Sequence, residues 1–270
     1  GSMLSTAAKK LNIKTTIFCD DIDAPAQNFC DHFIYGQYDD KEKILEFIKN
    51  VDVITYEFEN IPYETLNEMN KFKPVLPKPS VNRLIQHRIA EKDFINKLNI
   101  RTTRYVSIEK KSDIETLGDF LPGILKTTTM GYDGKGQYTI KKIEDVNSLN
   151  IDFSKGYILE KLVKLKKEIS VIVTRFGIHR YEIYEPIENT HENQILKHSV
   201  IPAEISKKIL EQSKDWATQI AEELKYIGTL SVEFFIDRND NLYVNEIAPR
   251  VHNSGHLTIN AYNVSQFENH

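Results

Sequence analysis

The chain has 270 residues, of which 40% are hydrophobic and 27% are charged, a composition typical of a folded protein with room for two domains. Its formal net charge is −4, which excludes the overall basic field that attracts nucleic acids or anionic membranes. Any recognition of a phosphate group must therefore come from a local site.

The two cysteines, Cys19 and Cys30, belong to no C-x-x-C or metal-spaced motif, so both are predicted to be free thiols. Free thiols are typical of a reducing compartment. The sequence shows no signal peptide and no apolar run of the ~18 residues that a membrane-spanning helix needs. We therefore expect a cytoplasmic protein.

Residues 1–79 have the pattern of an α/β domain. A helix in LSTAAKKLNIK precedes a β-branched strand at residues 15–20, and residues 51–58 form a second apolar run. Between them KEKILEFIKN has helical spacing, and Pro62 opens another helix that runs to residue 72. The order predicts a parallel sheet, and the sheet would be partial because no strand and glycine turn precede the first helix.

Residues 80–270 have the pattern of an α+β domain with antiparallel sheets. The segment KPVLPKPS is predicted to be an extended linker, and a helix with Ser80 as its N-cap is predicted at residues 80–98. A long helix is expected at residues 204–226, and a small lobe at roughly 100–162. The predicted strands are TTRYVSI, GILKTT, QYTIK, GYILEKLV, EISVIVTR, RYEIYEP, TLSVEFFID and NLYVNEIA. Because QFENH closes no element, we expect both ends of the sequence to be cuts.

The segment GILKTTTMGYDGKGQ combines glycines with lysines in a way that could hold phosphate. Gly131, Gly134 and Gly136 surround Lys135 in a loop that can expose backbone N–H groups, and Lys126 lies on the preceding strand. The spacing matches neither the P-loop nor the dinucleotide fingerprint. From spacing alone, a glycine hairpin without a ligand remains the alternative.

Two glutamates are predicted to face each other in the last hairpin. If RNDN is a four-residue turn, Asp237 lies opposite Leu242 and Glu233 lies opposite Glu246. Like charges repel in such a pair, and a divalent cation such as Mg²⁺ removes the repulsion. Asn245 could add an oxygen ligand. A slipped register or solvent exposure is the alternative.

The segment APRVHNSGH directly follows that hairpin and contains a dense group of donors, namely Arg250, His252, Asn253, Ser254 and His256. Such a group suits a small anion or a developing negative charge. Either histidine alone would more often be structural, and the neighbouring carboxylates favour the functional interpretation.

Two further segments contain acidic residues at places where ligands bind. Glu57 and Glu59 in YEFENIP follow a predicted strand at the edge where open α/β sheets bind ligands, although helix capping explains the segment equally well. A strand ending at Glu160 could present its backbone to a flat heterocycle, and Glu168 could accept hydrogen bonds from a ribose. A solvent-facing connection is the alternative for this pair.

Taken together and in this order, YEFENIP, ILKT…GYDGKGQ, SVEFF…VNEIAPR and HNSGH…SQFENH resemble the 5-(carboxyamino)imidazole ribonucleotide synthetases, ATP-grasp ligases of purine biosynthesis. The resemblance covers nearly the whole chain and implies a pre-ATP-grasp α/β domain followed by an ATP-grasp domain. It implies ATP and Mg²⁺ as cofactors, 5-aminoimidazole ribonucleotide and bicarbonate as substrates, and a homodimer. It also implies that carboxyphosphate forms first and that either this species or the carbon dioxide it releases carboxylates the amine.

The resemblance also implies a role for individual residues. The residues that it implies in ATP binding are Lys126, Gly131, Gly134, Lys135, Gly136, Gln137, Glu160, Lys161, Val163, Glu168 and Asn245. Implied to bind Mg²⁺ are Glu233 and Glu246. Implied at the catalytic centre are Arg250, His252, Asn253, Lys135, Tyr132 and Asp133. Implied to face the imidazole nucleotide are Tyr132, Asp133 and Glu57 or Glu59.

The sequence departs from this family in three places. The residues before the first helix do not show the GGGQLG-like turn that the resemblance leads us to expect, and the sequence ends at QFENH, before the expected further C-terminal domain. It also has threonines in KTTTM and Val251 where relatives often have arginine and proline. Relatives that activate formate or carboxylate biotin would share the carboxylate hairpin, but GYDGKGQ and HNSGH argue against both. Two more hypotheses stay open from the sequence, namely a non-catalytic fragment that binds ATP and a flavodoxin-like domain with an appended sheet.

Overall fold

The computed structural model describes residues 1–129, 136–149, 151–192 and 194–270. The first elements along the chain are α1 (Ser2–Lys10), β1 (Thr16–Cys19), β2 (His32–Tyr35), α2 (Lys41–Lys49) and α3 (Tyr63–Met69). Strands β1 and β2 are parallel, which confirms a parallel sheet in the α/β part, although the sequence did not predict β2. Asp40 caps α2 by accepting hydrogen bonds from two backbone N–H groups, and the apolar face of α2 packs in a core beside Ile54 and Leu66.

The strand predicted at residues 51–58 is wrong. Only Ile54 pairs there, in a single parallel bridge to Val75, with its N–H donating to the carbonyl of Pro74 (2.8 Å). The partner segment lies between Pro74 and Pro77, and proline has no N–H with which to extend the ladder. The chain therefore passes this point as one bridged residue.

The single helix predicted at residues 80–98 is two helices, α4 (Pro79–Ile85) and α5 (Arg88–Lys97). Ser80 is not the N-cap, because a proline occupies the first helical position one residue earlier. His87 has an extended backbone and caps α5 by accepting a hydrogen bond from a backbone N–H. The break places the start of α5 against the cleft described below.

A small antiparallel sheet forms the next part of the chain. Its elements are β3 (Tyr105–Ile108), α6 (Lys111–Glu115), β4 (Gly123–Thr127), β5 (Gln137–Ile140), α7 (Asp145–Ser148) and β6 (Tyr157–Lys161). The strand order is β3-β6-β4-β5. Ile108, Leu125, Ile140 and Leu159 are fully buried in its core. Strands β4 and β5 bring Lys126 opposite Gln137.

A larger antiparallel sheet follows, with the order β10-β9-β7-β11-β12 and β8 paired to β7. Its elements are β7 (Leu165–Gly177), β8 (Arg180–Ile183), β9 (Ile187–Glu192), β10 (Ile195–Val200), α8 (Lys207–Glu223), β11 (Gly228–Asp237) and β12 (Leu242–Ala248). Helix α8 confirms the long predicted helix, with Ser206 as its N-cap. The sequence did not predict β9 and β10. Helices α9 (Thr258–Ala261) and α10 (Gln266–Asn269) end the chain.

The last hairpin pairs Glu233 with Glu246 as predicted, but it does so in another way. Its turn has three residues, the last of which has a φ of 60°, a geometry common in three-residue hairpin loops. Ile236 therefore faces Leu242, and the expectation that Asp237 faces Leu242 is wrong. A β-bulge beside Glu233 shifts the register by one residue and restores the glutamate pair.

The two cysteines lie in the α/β part of the chain, where both are free thiols, as predicted. Within the described ranges, no helix has both the length and the apolar character needed to cross a membrane.

Candidate active site

A cleft of about 870 Å³ lies where the two antiparallel sheets meet the segment after residue 58. Residues from β4, β5, β7, β9, β10, β11 and β12 line it, together with the loop after β12. The sequence-predicted residues among them are Glu59, Lys126, Gln137, Glu168, Glu233, Asn245, Glu246, Arg250, His252 and Asn253. Motifs that are far apart in the sequence therefore share one cavity.

The glutamate pair lies in this cleft between two basic side chains. Arg88 Nη1 is 3.1 Å from Glu246 Oε2, and His252 Nε2 is 3.0 Å from Glu233 Oε1. Burial alone would raise the pKa of Glu246, but the positive charges of Arg88 and Lys126 outweigh this effect and lower it. Glu246 is therefore a carboxylate at neutral pH.

The donor set fits a magnesium ion. Glu233 and Glu246 supply carboxylate oxygens, and the buried Oδ1 of Asn245 has no hydrogen-bond partner among the described residues. Among the residues that the structure describes, no group of three or more His, Cys, Asp or Glu side chains is placed to hold a metal ion by itself. Two carboxylates and an amide oxygen suit Mg²⁺, which takes one or two carboxylates and completes its shell with phosphate oxygens and water.

Beneath the cleft, a buried ion cluster fixes Lys126. Its Nζ is 3.0 Å from Glu160 Oε2, and Lys92 Nζ is 3.5 Å from Glu160 Oε1. Burial alone would raise the pKa of Glu160, but Lys126 and Lys92 lower it to about 2. Lys92 also donates to Thr102 Oγ1 (2.9 Å). Lys126 thus reaches the cleft from a buried cluster in which one carboxylate contacts two ammonium groups.

The other end of the cleft joins the first and last motifs of the sequence. Arg250 Nε donates to Glu59 Oε2 over 3.1 Å, so YEFENIP and APRVHNSGH meet directly. Asn253 is exposed to the cleft beside them. Glu57 does not line the cleft, and its carboxylate pairs instead with the amino group of Gly1. Of the two glutamates that the sequence left open, Glu59 is the one that lines this cleft, and which of them faces the imidazole nucleotide stays a prediction.

The proposed adenine segment lies outside the residues that line the cleft. The backbone of Glu160 pairs with Tyr105 on one side and Ile124 on the other, so this residue does not present a free strand edge. The Lys161 ammonium donates to the carbonyls of Asp119 (2.7 Å) and Leu121 (2.8 Å). The implied roles of Glu160, Lys161 and Val163 in binding ATP stay predictions.

Part of the glycine loop falls outside the described residues, namely Gly131, Tyr132, Asp133, Gly134 and Lys135. Their implied roles stay predictions. Gly136 follows them with a φ of 71°, and a Cβ there would come within 2.8 Å of Thr127 Oγ1. This position therefore requires glycine.

Among the residues that line the cleft, Arg88, Asn189 and His191 are charged or polar groups that were not predicted from the sequence. Arg88 was placed inside a continuous helix, and His191 and Asn189 lie on β9, which was not predicted. His191 Nδ1 is 2.7 Å from Glu168 Oε2, and this contact raises the pKa of His191 above its usual value. The alternating order I-E-N-T-H places Asn189 and His191 on one face of β9, a signal that is informative only once a strand is predicted there.

Family models agree with this architecture. The ribonucleotide synthetase preATP-grasp domain matches residues 1–86, and the ATP-grasp domain matches residues 93–267. A relative from Staphylococcus aureus (strain COL), an N5-carboxyaminoimidazole ribonucleotide synthase, is 36% identical over an alignment of 275 residues. That alignment covers 100% of this chain and 72% of the relative.

The chain belongs to the N5-carboxyaminoimidazole ribonucleotide synthases. It is therefore an ATP-grasp ligase, as the motifs of the sequence implied.

Solved structures of synthases from this family share the fold. The Staphylococcus aureus synthetase complexed with ADP has a TM-score of 0.94 and 35% identity, and the match covers 100% of this chain and 72% of that one. A synthase from Aspergillus clavatus in complex with ADP and 5-aminoimidazole ribonucleotide has a TM-score of 0.90 and 26% identity, with 100% and 72% coverage. The α/β domain followed by an ATP-grasp domain is thus the arrangement of this synthase family.

Proposed function

We propose that this chain uses Mg²⁺ and ATP to carboxylate 5-aminoimidazole ribonucleotide with bicarbonate, giving N5-carboxyaminoimidazole ribonucleotide, ADP and phosphate. The observation that carries the proposal is the cleft itself, in which a pair of opposed carboxylates lies next to an arginine anchored by Glu59. One half of the cleft has the chemistry for a metal-bound triphosphate, and the other half has the chemistry for a small anion.

The triphosphate half is built from Lys126, Arg88 and the glutamate pair. Lys126 and Arg88 supply positive charge toward phosphate oxygens, and Glu233, Glu246 and Asn245 would hold Mg²⁺. When bound, Mg²⁺ supplies positive charge that neutralises the phosphates and makes the terminal phosphorus easier to attack. Because Glu160 fixes Lys126 from below, the lysine needs little rearrangement when the nucleotide binds.

The anion half is built from Arg250, His252 and Asn253. The guanidinium of Arg250 suits a planar oxyanion such as bicarbonate. In the first step a bicarbonate oxygen attacks the terminal phosphorus of ATP, forming a carbon–oxygen–phosphorus bridge and releasing ADP. The amine nitrogen of the imidazole nucleotide then attacks the activated carboxyl carbon, and inorganic phosphate and one proton are released. Glu59 keeps Arg250 oriented through both steps.

The test is ADP release by the purified chain with Mg²⁺, ATP, bicarbonate and 5-aminoimidazole ribonucleotide, omitting one component at a time. We expect release only when all are present, with carbon from labelled bicarbonate in the nucleotide product. Glu233→Gln should abolish both signals, whereas Glu204→Gln, whose side chain is 98% exposed, should leave them unchanged. ADP release that does not need the imidazole nucleotide would refute the proposed substrate, and Mg²⁺-dependent ATP binding without turnover would refute catalysis by this chain.

Two coarser features are proposed with this function. We place the boundary between the domains at residues 79 and 80, with a small lobe at roughly 100–162 in the second domain, and the family models that end at residue 86 and begin at residue 93 support this division.

We also propose a homodimer, which rests on the family resemblance alone. Light scattering of the purified chain tests it, since a mass of 31.3 kDa would refute it and twice that mass would support it.

A further inference from the structure

A buried chain of hydroxyl and amide groups leads from His252 to the rim of the cleft. His252 Nδ1 is 2.8 Å from Ser254 Oγ, which is 2.7 Å from Ser170 Oγ. Asn189 Nδ2 donates to Ser170 Oγ over 3.0 Å, and Ser199 Oγ donates to Asn189 Oδ1 over 2.8 Å. Ser254 and Ser170 are fully buried and Asn189 is 7% exposed, so bulk solvent hardly reaches these groups.

The direction of this chain can be read at the histidine end. The backbone N–H of Ser254, which can only donate, points at His252 Nδ1 over 3.4 Å. His252 Nδ1 is therefore an acceptor, and the Ser254 hydroxyl donates to it as well. Ser254 Oγ then accepts from the Ser170 hydroxyl, which has no other acceptor among the described residues. The amide of Asn189 completes the order by donating to Ser170.

We propose that Ser254, Ser170 and Asn189 are positioning residues that fix His252 in the tautomer with its hydrogen on Nε2. The opposite side of the ring then donates to Glu233 Oε1, 3.0 Å away. His252 thus acts at the cleft as a hydrogen-bond donor that orients a carboxylate of the proposed magnesium site, and not as a base on that side. The reverse order would leave the Ser170 hydroxyl buried without an acceptor, which is unfavourable.

The tautomer can be measured directly by nitrogen-15 NMR of the histidine rings in the ligand-free chain, with His252→Asn to assign the signals. We expect hydrogen on Nε2 in the unchanged protein. Ser170→Ala removes the donor to Ser254 and should yield a mixture of tautomers. Asn189→Asp replaces the amide donor with an acceptor and should shift the tautomer population toward hydrogen on Nδ1, against the backbone N–H of Ser254 that remains. Ser231→Ala is the matched control, since Ser231 is fully buried in the same sheet and its hydroxyl has no partner among the described residues.

The kinetic consequence rests on the proposed function, whereas the NMR result does not, so the two can fail separately. Ser170→Ala should lower kcat about tenfold with KM for ATP unchanged, the effect of roughly one misplaced hydrogen bond, while Ser231→Ala stays within about twofold. If Ser170→Ala keeps the Nε2 tautomer, or if the unchanged protein carries its hydrogen on Nδ1, the inference is wrong. Because Ser170→Ala adds no bulk and no charge, it decides the matter even if Asn189→Asp does not fold.

Discussion

Replacing Glu160 by glutamine tests how the base of the cleft is held. The side chains of Glu160 and Lys92 are 4% and 2% exposed, and Lys126 contacts the same carboxylate. Glu160→Gln conserves the volume of the side chain but leaves two buried ammonium groups without their counter-charge. Removing one partner of a buried ion pair costs about 3–5 kcal/mol, because the remaining charge stays desolvated.

The assay is thermal unfolding at pH 7. In a domain of this size, about 1 kcal/mol lowers the midpoint by roughly 2–4 °C, so Glu160→Gln should lower it by roughly 6–20 °C. The control is Glu211→Gln, which removes an exposed i,i+4 ion pair with Lys207 at 3.7 Å and should change stability by less than about 1 kcal/mol. A loss no larger than that of the control would refute the assignment of the cluster as a structural base.

The ion pairs of Glu160 also predict the direction in which the stability of the chain changes with pH. Since the folded-state pKa of Glu160 is lowered from 4.5 to about 2, its contribution to stability is complete above pH 4.5 and is lost as the pH falls toward 2. The difference in unfolding free energy between the unchanged protein and Glu160→Gln should therefore be constant from pH 7 to 5 and shrink below that range. A difference that grows with acidity would contradict the sign.

Three further changes have defined outcomes. Glu168→Gln should lower the pKa of His191, followed by NMR titration, because their contact is the main cause that raises it. Glu59→Gln should raise KM for the imidazole nucleotide or bicarbonate about tenfold in steady-state assays, since Arg250 loses the charged partner that orients it and keeps only a neutral acceptor. Gly136→Ala should destabilise the chain by about 1–2 kcal/mol in denaturant unfolding, because a side chain is strained at a φ of 71°.

Each of these changes has a matched comparison. Glu182→Gln removes an exposed carboxylate on β8 and should leave the titration of His191 unchanged. Glu64→Gln, on the exposed side of α3, should leave both KM values unchanged. At Gly118 an added methyl group meets no atom within 4 Å, so Gly118→Ala should cost less than Gly136→Ala. Equal costs at the two glycines would contradict the backbone argument.

The sequence alone predicted the features that depend on near neighbours. Periodicity identified α2 and α8, and the order of elements identified an α/β part followed by antiparallel sheets. The same reasoning failed at residues 51–58, where an apolar run could not reveal that its partner lies between prolines. It also failed at residues 80–98, where helical spacing continued through the break that places Arg88 in the cleft.

The hairpin that contains the opposed glutamates shows one correct prediction and one wrong one. The sequence contained the pair, since both strands and their turn are consecutive and a cross-strand register can be counted. The assumed four-residue turn was wrong by one residue, and a bulge beside Glu233 corrected the difference. Turn length and bulges depend on how backbone twist and side-chain packing are balanced within the whole sheet, and the hydrophobic pattern does not record them.

What the sequence determined by itself is therefore the inventory of the site: the carboxylate hairpin, the loop of donors after it, the lysine on β4 and the acidic segment near residue 59. Only the tertiary structure decided which of these groups meet. Arg250 and Glu59 are 191 residues apart, Arg88 and Glu246 are 158 apart, and the hydroxyl contact between Ser170 and Ser254 spans 84. Local spacing cannot specify such contacts, because they arise when separate sheets and helices bury their apolar faces against one another and bring the polar groups together in the remaining cleft.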